Sequence, residues 1–278
     1  MNIHTKIAFI GGGNMAGALI EGLLRQGIAA QDLHVVEVHP ETRRRWQDKG
    51  LSTSASCNEA LTGYGLWVLA VKPQQLAEVV SQAKPYLDSG TAVLSIAAGI
   101  SLPTLAQWLG SSTLAWPQVV RAMPNTPALV EKGITGLVAT ASLSNSHRQL
   151  IEQVLCAVSE IVWVESDNMI DAVTAISGSG PAYVFRFLEA LMAGAESLGL
   201  SHEQSKKLAL ATLAGATELA RQSSETPAIL RERVTSKGGT TEAALKVMEA
   251  GGFHSTMTRA VKAAYERAGE LSREFGKS

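Results

Sequence analysis

Residues 6 to 17 read KIAFIGGGNMAG, an apolar run that ends in three glycines and continues as a helix-forming segment from Asn14. Gly11, Gly13 and Ala16 set the spacing GxGxxA, with a strand pattern before it and a helix pattern after it. Glycine at those places permits a tight turn and lets the backbone come close to a pyrophosphate. The pyrophosphate then sits at the positive end of the helix, against first-turn residues such as Asn14 and Met15. A glycine turn with no ligand is the bland alternative, and the strand and helix on either side weigh against it.

Outward from this turn the same grammar repeats. KIAFI, LHVVEV, GLWVLAV and TAVLSI are short apolar runs, followed by helical stretches from Asn14, over Pro40 to Lys49, over Pro73 to Lys84 and over Ser101 to Leu109. VVRAM, ITGLVAT and IVWV come next, with a further helical pattern over Ser146 to Ser159. Strands buried on both faces read as continuous apolar runs, and their alternation with helices predicts a doubly wound, mostly parallel sheet of Rossmann type.

After about Glu165 the strand pattern stops. Pro181 opens a helix whose apolar positions Val184, Phe187, Leu188, Leu191 and Ala195 recur at three and four residues. Ser201 with Gln204 makes a capping box for another helix through about Gln222, and a last helix pair flanks Gly251 and Gly252. The expected class is α/β, with an NAD(P)-binding Rossmann domain over residues 1–165 and an all-helical C-terminal domain over residues 166–278.

The 278 residues hold 24 Lys plus Arg against 25 Asp plus Glu, so there is no net basic field to hold a nucleic acid or an anionic membrane surface. Cys57 and Cys156 are too few and too far apart for a disulfide framework and read as reduced thiols. The apolar run near the N-terminus is too short for a signal-peptide core or a membrane span, which leaves a cytoplasmic location as the expectation. The six histidines show no metal-ligand spacing and no GxSxG elbow occurs. The pattern therefore favours redox chemistry on a small molecule, with the cofactor supplying the difficult step and no metal.

Glu37 closes the second strand pattern, where an acidic side chain bonds the adenosine ribose hydroxyls of NAD. His39 or the run Arg43, Arg44, Arg45 would have to offset it for a 2′-phosphate to bind, and the run also reads as a solvated helix face. NADH and NADPH both stay open. AVKPQ (Ala70 to Gln74), SIAAGI (Ser95 to Ile100) and RAMPNTPA (Arg121 to Ala128) each follow an apolar strand, so they should line the carboxyl edge of the sheet, where ligands bind.

In the helical half, VTSKGGTTEAALKVMEAGGF (234 to 253) interrupts a run of helix formers with two glycines. Each such glycine costs about 1 kcal/mol in a helix interior. Ser236, Gly238, Gly239, Thr240 and Thr241 lie where the helix EAALKVME begins, and its unpaired amides suit a carboxylate. A helix linker with a hydroxyl N-cap explains the stretch equally well.

The pattern P-x2-L-x3-VTS-x-GG-x-T-x2-AL-x2-ME, set by Pro227, Leu230, Val234 to Ser236, Gly238, Gly239, Thr241, Ala244, Leu245, Met248 and Glu249, resembles the pyrroline-5-carboxylate reductase family. IGGGNMA, AVKPQ, RAMPNTPA, AISGSGPAYVF and the GGF ending extend the resemblance over nearly the whole chain. It implies hydride transfer from NADPH or NADH to C5 of L-1-pyrroline-5-carboxylate, giving L-proline in the last step of proline biosynthesis.

The resemblance further implies that the substrate carboxylate is held by the Ser236 and Thr241 hydroxyls and the Gly239 and Thr240 amides, with Thr241, a water or prior protonation serving the imine nitrogen. Ala70, Val71, Lys72 and Pro73 would lie near the nicotinamide-side ribose and Asn58 near the adenine-side ribose. Ala97, Ala98, Met123, Pro124 and Asn125 would surround the nicotinamide. A homodimer, with active sites between a Rossmann domain and helices that can include the partner's, is the implied minimum unit, and rings of dimers are a further possibility. Lys237 departs from the proline usual at that place.

A β-hydroxyacid dehydrogenase shares the same order of domains, but aligning on Gly178 and Gly180 puts Val184 and Leu188 where its lysine and asparagine belong, and neither does acid–base work. A nucleotide sensor would have no need of the substrate-side residues. A reductase of a carboxylate-free imine would leave the SKGGTT donors unpaired, at about 1–3 kcal/mol per group.

Overall fold

A computed structural model describes residues 5–276. The chain divides into two compact units, one comprising the chain up to Ser179 together with the segment from Ala264 onward, the other Gly180–Ala263.

The first unit is built on β1 (Ile7–Ile10), β2 (Leu33–Val36), β3 (Ser52–Ser54), β4 (Leu66–Leu69), β5 (Ala92–Ser95), β6 (Val119–Met123), β7 (Gly133–Ala139) and β8 (Ser159–Trp163). They form one sheet in the order β3-β2-β1-β4-β5-β6-β7-β8, parallel throughout except for the antiparallel β6–β7 pair. The doubly wound, mostly parallel expectation is met. β3 is the strand the apolar pattern misses, because a three-residue STS edge strand has no hydrophobic run to betray it.

Alternate residues of each strand feed opposite faces. Ile7 and Phe9 of β1 and Leu66 and Val68 of β4 enter one core, beneath α1 (Asn14–Arg25), α2 (Pro40–Asp48) and α5 (Asn145–Leu155) through Leu19, Leu23, Trp46, Ile151 and Val154. Ala8, Ile10, Trp67 and Leu69 enter the other, with Leu76 and Val80 of α3 (Pro73–Ala83) and Leu105 and Leu109 of α4 (Leu102–Leu109). The helix expected over Ser146 to Ser159 stops at Leu155, since Ser159 already opens β8, its hydroxyl bonded to Leu155 C=O and paired with Thr135.

The boundary expected at 165 falls before α6 (Asp167–Val173) and a π-helical turn, Thr174–Gly178, which belong to the first unit. Their anchor is the buried Arg121 of β6, which pairs with Asp167 at 2.9 Å and Asp171 at 3.2 Å. Asp167 also caps the start of α4 by accepting the Leu102 N–H at 2.8 Å.

The second unit contains α7 (Gly180–Ser197), α8 (His202–Gln222), α9 (Pro227–Arg233), α10 (Thr240–Ala250) and the first part of α11 (Phe253–Phe275). The Ser201–Gln204 capping box of α8 is present in both directions. α9 is a short helix that the sequence pattern does not single out, capped by Thr226 with Pro227 in its first turn. No residue of α7, α9 or α10 is buried, and Phe185, Leu198 and Leu219 are 61%, 86% and 69% exposed. So much apolar helix surface is what an association interface leaves when a single chain is considered. Among the described residues, no helix is long and apolar enough to cross a membrane.

Candidate functional site

The strand order changes direction between β1 and β4, and ligands of open α/β sheets bind in the crevice beyond the strand ends at such a point. Gly11 follows β1 and Ala70 follows β4, and backbone bonds tie them to the neighbouring strands: Gly11 N–H donates to Val36 C=O at the end of β2, and Ala70 N–H to Ile10 C=O at the end of β1. Gly11 has φ +104°, and a Cβ there would meet the Ala70 carbonyl oxygen at 2.7 Å. Only glycine satisfies both conditions.

Gly12 is held on both sides. Its N–H donates to Glu37 Oε2 at 3.0 Å and its C=O accepts from Trp46 Nε1 at 3.2 Å. Nothing lies within 4 Å of where a Gly13 Cβ would be, and the α1 N-terminus there has no side-chain cap and no acid in its first turn. An open, uncapped, positively polarised helix start with close backbone approach fits a pyrophosphate.

A cavity of about 380 Å³ runs from this turn, walled by Gly11, Gly13, Glu37, His39, Ala70, Val71 and Lys72 among others. The structure thus brings together seven of the residues predicted for the cofactor. Ser56, Cys57 and Gln75 also line it and are not among the residues predicted for the cofactor, since nothing in their spacing marks them for it. Burial pushes the Cys57 thiol up, which keeps it protonated. Asn14 and Met15 lie in the first turn of α1, Ala16 is buried beneath it, and Pro73 opens α3.

Glu37 faces the cavity while both its oxygens are engaged, Oε2 with Gly12 and Oε1 with the His39 N–H at 2.9 Å. Arg43 donates to the carbonyls of Glu37 and Val38, and Arg45 lies over the Trp46 ring at 4.3 Å. Two of the three arginines in the run are therefore occupied within the protein. Asn58 does not line the cavity; its Oδ1 accepts the Ala60 N–H and caps a short helical turn.

Ala97 and Ala98 follow β5, with Ala97 buried and its N–H directed to Ser95 Oγ at 3.3 Å. Met123 ends β6 and its Cε lies 2.7 Å from where a Gly178 Cβ would be. The Asn125 carboxamide is engaged within the protein. It is buried, its Nδ2 donating to Ser177 C=O at 3.1 Å and its Oδ1 accepting the Ile134 N–H at 2.9 Å. That carboxamide joins β7 to the π-helical turn.

In the second unit the SKGGTT stretch forms a turn ahead of α10, with Gly238 at φ +75° and Gly239 as N-cap. The break is a left-handed turn, which glycine adopts without a Cβ penalty. Of the two expected amide donors, Gly239 and Thr240, the first is occupied: Gly239 N–H closes the turn on Ser236 C=O at 3.0 Å, while the neighbouring Gly238 N–H bonds Glu242 Oε2. No side chain caps the first turn of α10, so Thr240 and Thr241 keep the orphan amides of a helix start beside the Ser236 hydroxyl. Glu242 holds its carboxyl below the ordinary range, through the Gly238 amide first and Lys246 second. Among the described residues, no group of three His, Cys, Asp or Glu is arranged to hold a metal ion.

Residues 167–271 match a model described as pyrroline-5-carboxylate reductase dimerisation, and residues 6–99 one described as NADP oxidoreductase coenzyme F420-dependent. The pyrroline-5-carboxylate reductase of Pseudomonas aeruginosa is 42% identical over 272 residues, covering 98% of each chain. That of Haemophilus influenzae is 39% identical, covering 98% of this chain and 99% of the other. A pyrroline-5-carboxylate reductase structure from Coxiella burnetii superposes with a TM-score of 0.90 at 37% identity, covering 97% of this chain and 99% of that one. A structure of Plasmodium falciparum pyrroline carboxylate reductase with NADP bound does so with a TM-score of 0.83 at 30% identity, covering 97% of this chain and 98% of that one.

Proposed function

The chain belongs to the pyrroline-5-carboxylate reductase family, and from that membership we propose that it reduces L-1-pyrroline-5-carboxylate to L-proline with a reduced nicotinamide cofactor. The observation that carries the proposal to this chain is the SKGGTT turn, which keeps uncapped helix-start amides and hydroxyls together for a carboxylate. The nicotinamide supplies the hydride when bound. The chain's own part is to hold the pyrophosphate at the α1 start, to fix the substrate carboxylate at Ser236, Thr240 and Thr241, and to orient the ring. Such positioning lowers a barrier by several kcal/mol, about 7 to 11 at the limit. The Thr241 hydroxyl, or a water it orients, delivers the proton to the imine nitrogen.

The engagement of Arg43 and Arg45 within the protein, with Glu37 in the cavity wall, supports NADH over NADPH. The exposed faces of α7 and α8 support a homodimer as the minimum unit, with rings of dimers as the larger assembly. A cytoplasmic location belongs to the same proposal.

The test is the initial rate of cofactor oxidation with pyrroline-5-carboxylate, run with NADH and NADPH in parallel and repeated on a carboxylate-free pyrroline. Turnover that requires the carboxylate and runs faster at low NADH than at low NADPH is expected. Equal turnover of the carboxylate-free ring would overturn the carboxylate site, and light scattering across a concentration series checks the dimer.

A further inference from the structure

The substrate turn contains a contact between the first of its two glycines, Gly238, and the helix that follows. Glu242, the third residue of α10, folds back so that Oε2 accepts the Gly238 N–H while Oε1 pairs with Lys246 Nζ at 3.0 Å. An acid at this helical position ordinarily reaches back to the N-cap amide. Here the N-cap is Gly239, and the bond goes one residue farther, to Gly238. Gly239 N–H is thereby left to close the turn on Ser236 C=O.

Packing does not hold Gly238 in its left-handed conformation, because nothing lies within 4 Å of its Cβ position. The Ser236 hydroxyl sits over Gly239, 2.4 Å from where a Cβ would be, so the placement of that hydroxyl depends on the path of the Gly238–Gly239 backbone. Lys246 does a second task. A carboxylate one turn from an anion site repels the anion unless a cation neutralises it, and a Lys four residues on from a Glu is in the favourable order for that pairing.

Resting on the reading of this turn as the substrate-carboxylate site, we propose that Glu242 is a positioning residue for substrate recognition. Through the Gly238 amide it sets the turn so that the Ser236 hydroxyl and the Thr240 and Thr241 amides converge on the incoming carboxylate, and Lys246 keeps the Glu242 charge turned away from it.

Steady-state kinetics of full-length E242A, E242Q and S236A, with pyrroline-5-carboxylate varied at saturating cofactor and the cofactor varied in turn, test this. E242A raises the KM for pyrroline-5-carboxylate about tenfold, with kcat and the cofactor KM within about twofold of the parent. E242Q keeps an oxygen for the Gly238 amide and returns most of the loss. If E242A does not fold, E242D, one methylene too short to reach, takes its place with the same expected rise. A substrate KM that rises with S236A but not with E242A overturns the role of Glu242 and leaves the site standing. Equal rises in E242A and E242Q also overturn it, because charge alone would then account for the effect. A substrate KM unmoved by S236A removes the site reading and this inference together.

Discussion

Glu37 Oε2 accepts the Gly12 N–H at 3.0 Å, so the acid at the end of β2 and the glycine turn after β1 are one hydrogen-bonded unit. Glu37→Ser removes the acceptor for both Gly12 and His39. The NADH KM should rise about tenfold and the NADPH to NADH ratio of kcat/KM should increase, measured by initial rates with each cofactor. A rise in both KM values with an unchanged ratio would make Glu37 a support of the turn with no part in choosing the cofactor.

Gly11→Ala places a methyl group 2.7 Å from the Ala70 carbonyl oxygen at a φ of +104°. Strain of this kind costs about 1–3 kcal/mol. A lower melting temperature and loss of cofactor binding in a fluorescence titration are expected, whereas Gly13→Ala, which meets no protein atom, should affect binding alone.

Asn125→Asp keeps the acceptor for Ile134 N–H but turns an anionic oxygen toward the Ser177 carbonyl. A buried carbonyl left without its donor costs about 1–3 kcal/mol. Urea unfolding should show that loss, and the variant should keep its cofactor affinity if the carboxamide has no direct contact with the nicotinamide.

Arg121→Ala strands the Asp167 and Asp171 carboxylates that it pairs from β6. Removing one side of a buried ion pair costs about 3–5 kcal/mol. Denaturant unfolding measures it, and Arg121→Met, which fills the space without restoring charge, should recover little because the two acids remain.

His34 is buried on β2 and lies 2.9 and 3.0 Å from the Ser52 and Ser54 hydroxyls of the edge strand β3. Burial lowers its pKa below the ordinary 6.5, so the unfolded chain takes up the proton first. The stability is full above 6.5 and declines as pH falls toward the lower folded value. The difference in melting temperature between the parent and His34→Gln should shrink as pH is lowered through that range.

The alternating apolar runs and GxGxxA were enough to read the sheet and its mostly parallel sense, and together with the family resemblance they named seven of the residues that wall the cavity beside the glycine turn. These features are local, since a buried parallel strand must be apolar throughout and a backbone passing beneath a carbonyl must lack a Cβ. β3, α6 and the π-helical turn escaped because they run only 3, 7 and 5 residues, too short for a hydrophobic periodicity to show.

For the site, sequence spacing determined which residues stand near the turns, and the tertiary structure decided what their polar atoms do there. Glu37 meets Gly12 across 25 residues and Asn125 meets Ser177 across 52, so each partner is set by which strand ends the sheet brings together. Buried polar groups take whatever donors and acceptors the fold places beside them. The Asn125 carboxamide is for that reason found bracing a turn, and Glu242, inside a plain helical run, is found bonded to the glycine four residues before it.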